Sequence, residues 1–146
     1  MPNAEDIVAA CRAEWPAHSG DCSGFARAVA ARLNVPLAGL ANDIVDHIRI
    51  HWRQLPDGAA AKAAAESGVL VIAGLRGDEQ SAPSAHGHVV VVVGGPLDEA
   101  NNRYPHAFWG RLNGTGKQDK TLNFAWNRRD RDRITSRAVR SPEIEP

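Results

Sequence analysis

At 146 residues, with 43% hydrophobic and 23% charged side chains, the chain can bury a core without metal or disulfide staples, and its composition excludes a disordered polymer. Lys+Arg and Asp+Glu both total 17, which disfavours nucleic acid or an anionic membrane as partner. The first residues carry acids and lack a basic n-region, and the longest apolar runs, Val69–Ala73 and Val89–Val93, are too short to cross a bilayer. The expectation is one domain over residues 1–146, made without a signal peptide and without membrane insertion.

In chain order, Ile7, Val8, Cys11 and Trp15 recur at helical spacing and predict an amphipathic helix from Ala4 to Trp15, stopped by Pro16. Cys11 lies in the apolar stripe and reads as core. Asp21 is a natural N-cap for a helix from Cys22 to about Leu33, and Gly24 is expected to let strand and helix approach closely. Ile44, Val45, Ile48 and Trp52 define a third helix from Ala41 to Trp52. The alanines from Ala59 to Ser67 predict a short surface helix.

Beyond Gly68 the pattern changes to β-branched runs. Val69–Ala73 predicts a strand covered on both faces, Gly74 to Ala85 a polar loop, and Val89–Val93 a central strand. Further strands are expected over Tyr104 to Leu112, Leu122 to Trp126 and Ile134 to Val139. Helices first and strands second predict an α+β fold, with N-terminal helices packed on a C-terminal antiparallel sheet.

The chemistry concentrates in two places. Asp21-Cys22-Ser23-Gly24-Phe25 puts a thiol at a helix N-terminus, where unpaired N–H groups and the peptide dipoles favour the thiolate and could cradle an oxyanion. His86-Gly87-His88 opens the valine run, and a Cys with a downstream His suffices for acyl transfer. His88 is the preferred base because it adjoins the strand; His86 is the alternative. Asp21, Ser23 and Gly24 are expected to support the site.

Four other patterns read as structural. His47 and His51 sit four apart without a supplementing ligand, and Cys22 with the two downstream histidines lacks the paired spacing of a zinc site, so no metal or other cofactor is expected. Gly114-Thr115-Gly116-Lys117 lacks the earlier glycine and the Ser or Thr of a phosphate loop. The run from Asn127 to Arg133 intersperses Asp130 and Asp132 among arginines and reads as a solvated, ion-paired surface.

Asp21–Phe25 with the distant Gly87-His88-Val89 resembles the NlpC/P60-type, papain-like cysteine peptidases of bacterial cell-wall peptides. A more extensive similarity, to the family-1 amidase effectors of type VI secretion systems, runs through Asp21–Phe25, Ala41-Asn42 and the helix to Trp52, and Val71–Leu75. It continues through Gly87–Val93 with Gly95-Pro96-Leu97, Tyr104-Pro105, Trp126-Asn127-Arg128 and Asp130–Arg133.

The resemblance implies a toxin passed through the type VI secretion tube into a rival's periplasm. There it would cut peptidoglycan stem peptides between D-Glu and meso-diaminopimelate, with a cognate immunity protein as a second partner. Cys22 matches the nucleophile and His88 the base. The pattern departs after Tyr104-Pro105: Ala107 and Trp109 stand where the family carries cysteines, one of them discussed as a third catalytic element. The group orienting the imidazole is left open among a backbone carbonyl, a water, His106 and Asn113. A deamidating or transglutaminase-like toxin, or an inactive wall-binding domain, are the alternatives.

Overall fold

The computed structural model describes residues 2–140. Four helices, α1 (Ala4–His18), α2 (Cys22–Arg32), α3 (Ala41–His51) and α4 (Gly58–Glu66), accompany six strands. The strands are β1 (Arg53–Leu55), β2 (Val71–Leu75), β3 (His88–Val92), β4 (His106–Trp109), β5 (Lys117–Thr121) and β6 (Thr135–Ala138). They form one antiparallel sheet in the order β1-β6-β2-β3-β4-β5.

Strand alternation divides the core into two layers. On one face Ile72, Val89, Val91 and Phe108 pack against Phe25, Val29, Ile44 and Ile48 from α2 and α3. On the other, Val71, Ala73, Val90, Val92 and Trp109 meet α4 and the segments around Tyr104 and Trp126. Being covered twice, β2 is buried at all five positions, as its unbroken apolar sequence predicts. Gly74 sits in that strand because a Cβ there would come within 2.9 Å of both Val45 Cγ2 and Val89 Cγ1, so α3 can pack close only over glycine.

Several expectations need correction. The first helix does not stop at Pro16 but runs to His18. Pro16 is on the exposed side, and the last turn is held from outside: Trp15 Nε1 donates to Trp109 O at 3.0 Å, and His18 O accepts from Asp21 N at 3.0 Å. The alanine helix α4 is exposed at Ala59, Ala63 and Glu66, as a surface helix is, yet it buries Ala61, Ala64 and Ala65 on the second sheet face, where small side chains allow close packing. Leu122 to Trp126 is not a strand. A 3-10 turn spans Leu122–Phe124, and the edge strand is the preceding Lys117–Thr121, whose outward polar residues give no apolar alternation. The three-residue β1 was not foreseen. In the arginine-rich run Asp130 is buried, with 3% exposure, while Arg131 lies over the Tyr104 ring; only part of that run is solvated surface. Cys11 is fully buried and its thiol is pushed far up by that burial, in keeping with a packing role.

Candidate active site

The start of α2 is set by Asp21, whose Oδ1 accepts from Gly24 N at 3.0 Å and from the Ser23 hydroxyl at 3.2 Å. Such a cap contributes about 1 kcal/mol and turns the carboxylate toward the helix N–H groups. Gly24 serves this cap rather than a strand–helix approach: a Cβ there would lie 2.0 Å from Asp21 Oδ2. The preceding loop is stitched to the far end of β4, with Ser19 O accepting from Arg111 N at 3.0 Å and Gly116 N at 2.8 Å. Gly110 lets the two backbones touch, since a Cβ would fall 2.1 Å from His18 O and 2.6 Å from Asp21 O.

His88 is the first residue of β3, opposite Leu75 of β2. The backbone amides of Val89, the next residue, and of Ser23 and Cys22 lie near enough to the Cys22 sulfur to favour its thiolate. Strand start and helix start meet at one cleft, about 570 Å³ in volume, which Cys22, His88 and His86 all line. His86 is exposed on the loop, its N–H donating to Ser84 Oγ at 3.1 Å.

Burial, the largest influence on Cys22, pushes its thiol up; the three amides pull it down without prevailing, and the charge of Asp21 adds to the rise. The expected thiolate at the helix terminus is therefore overturned: desolvation outweighs the helix N-terminus. For His88, burial first and the charge of Arg111 second depress the imidazole to about 3. Its Nε2 is buried without a hydrogen-bond partner, and the ring meets Trp126 edge-on, with centroids 5.1 Å apart at 64°. Both shifts favour a neutral thiol beside a neutral imidazole.

Of the two suggested orienting side chains, His106 is at the wrong end of the sheet. Its carbonyl accepts from Val93 N at 2.9 Å, beyond the end of β3 opposite His88, and its Nδ1 lies 3.0 Å from Asp119 Oδ1. Asn113 does line the cleft. Ala107 and Trp109 are buried in the second core layer. His47 and His51 stack at 4.6 Å, and no group of three or more potential metal ligands gathers among the described residues.

Four residues at the site escaped attention as site residues in the sequence. Trp126 packs on His88. Asn42 fastens the loop that carries His86 and Gly87, accepting from Gly77 N at 2.9 Å and donating to Ala85 O at 3.0 Å. Asp130 accepts from Ser81 N at 2.9 Å and Ser81 Oγ at 3.2 Å, and pairs with Arg133 at 3.2 Å, tying the two loops that wall the cleft. Arg111 lines the cleft beside them. Arg111 fell inside the strand expected over Tyr104 to Leu112, whereas β4 ends at Trp109 and leaves it on the following loop.

No protein-family model matches the chain. Among curated proteins it is similar to the peptidoglycan amidase Tse1 of Pseudomonas aeruginosa, 40% identical over 139 residues, a match spanning 88% of this chain and 85% of that protein.

Proposed function

The chain belongs to the family of the peptidoglycan amidase Tse1, and from that premise we propose that it hydrolyses the amide between D-Glu and meso-diaminopimelate in peptidoglycan stem peptides, with Cys22 as nucleophile and His88 as base. The observation that carries the reading is the shared cleft, lined both by Cys22 at the start of α2 and by His88 at the start of β3. A helix-borne thiol and a strand-borne imidazole lining one cleft suit an NlpC/P60-type cysteine amidase.

In this reaction His88 takes the Cys22 proton as the sulfur attacks the amide carbon, so charge separation occurs on the reaction path rather than at rest. The oxyanion is held by amides at the start of α2, Cys22 N–H included, each well-placed donor being worth roughly 3–4 kcal/mol. The imidazolium gives its proton to the leaving diaminopimelate amine as the C–N bond breaks. A water, deprotonated by His88, then opens the thioester and returns the free thiol. The biological setting that fits is a type VI toxin made in the cytoplasm, acting in the target periplasm and restrained by a cognate immunity protein.

Purified sacculi incubated with the protein and analysed as muropeptides by mass spectrometry test this. Wild type is expected to release fragments cut at the D-Glu carbonyl, Cys22→Ala and His88→Ala none, and His86→Ala nearly as many as wild type. An unchanged muropeptide pattern with wild type refutes the function. Loss with His86→Ala but not His88→Ala reverses the choice of base. A mass change of one unit without scission would mark deamidation instead.

A further inference from the structure

Building on the amidase reading, we propose that Arg111 binds substrate, pairing its guanidinium with the free α-carboxylate of the D-glutamyl residue beside the scissile bond. Arg111 lines the cleft that holds Cys22 and His88. Among the described residues, the cleft lining holds no second arginine or lysine. The Arg111 side chain has no hydrogen bond or ion pair with any described residue. The acidic cleft residue Asp130 is already engaged by Ser81 and Arg133, so the uncompensated charge of the cleft is positive even though the chain has formal net charge +0.

The root of this side chain is fixed relative to the nucleophile. Arg111 N donates to Ser19 O at 3.0 Å, Arg111 O accepts from Gly114 N at 3.2 Å, and Gly110 rests on the carbonyls of His18 and Asp21. A guanidinium so placed is suited to a planar carboxylate through two parallel N–H···O bonds. The substrate offers that group where it is needed: a γ-linked glutamyl residue presents its side-chain carbonyl for attack and leaves its α-carboxylate three carbons away. Charge pairing would also cancel the field of Arg111 at His88, so the imidazole becomes a better proton acceptor once substrate is seated.

Two synthetic tetrapeptides test the assignment: L-Ala-γ-D-Glu-meso-diaminopimelate-D-Ala, and its counterpart with the α-carboxylate amidated. Wild type is expected to favour the acid peptide by about 10- to 100-fold in kcat/KM. Arg111→Met should collapse that ratio toward one, and Arg111→Lys should restore part of it. Dissociation constants measured with Cys22→Ala protein, with and without Arg111→Met, should follow the same pattern. Equal treatment of the two peptides by wild type, or an equal proportional loss on both in Arg111→Met with a shifted pH profile, overturns the assignment and leaves the amidase reading intact. Binding selectivity that depends on Arg111 without cleavage of either peptide would sink the amidase reading and keep the carboxylate site. If Arg111→Met does not fold, the Arg111→Lys ratio and the selectivity of wild type decide.

Discussion

Acidification offers a direct reading of how deeply the imidazole of His88 is held in the fold. The folded protein depresses this group to about 3, against an ordinary value of 6.5, chiefly by burial. Between those limits the unfolded chain binds a proton that the folded protein refuses. The stability contributed by His88 is thus complete above about pH 6.5 and lost as pH falls toward 3. Each pH unit crossed costs about 1.4 kcal/mol, roughly 3 kcal/mol by pH 4, a large share of the 5–15 kcal/mol typical of a domain. Urea unfolding from pH 7 to pH 4 should show this loss in wild type and a flatter profile in His88→Gln, the other titrating groups being common to both. An imidazole that titrates between pH 6 and 7 in the folded protein by NMR, or parallel stability profiles for the two proteins, would refute the reasoning.

Because burial raises the Cys22 thiol, iodoacetamide should label it at pH 6 more slowly than a free small-molecule thiol, the rate climbing with pH; faster labelling in the free protein would contradict a neutral resting pair. Gly110→Ala forces a Cβ onto the carbonyls of His18 and Asp21. The variant is expected to lose about 1–3 kcal/mol of stability and at least tenfold in muropeptide release, as the loop before Cys22 shifts; unchanged melting and activity would argue against that contact. Asp130→Ala takes from the Ser81 N–H and hydroxyl the carboxylate to which both donate, predicting a loss of about 1–3 kcal/mol in urea unfolding and faster hydrogen exchange around Ser81; exchange identical to wild type would count against the tie between the two walls.

The elements most legible in the sequence were those whose cause is local. Asp21 caps α2 through an amide three residues on, and the apolar stripe of α3 repeats within a few turns. The all-apolar β2 announced a strand covered twice. Where the cause was distant, reading failed. The polar β5 is a strand because β4 offers it an edge, and α4 buries an alanine face because it packs on the second face of the sheet. The same division runs through the site: Cys22 and His88 were conspicuous as residue types at a cap and a strand start, whereas Arg111, Asn42 and Asp130 looked like ordinary polar residues.

By itself the sequence determined which residues could carry chemistry, the capped helix that presents the thiol, and the strand that presents the imidazole. Only the tertiary structure decided their protonation, their neighbours and the walls around them. Capping and periodicity act over a few residues, so they are written in the chain. Desolvation depends on everything packed around a group, and here it reverses the thiolate that the helix terminus alone would favour.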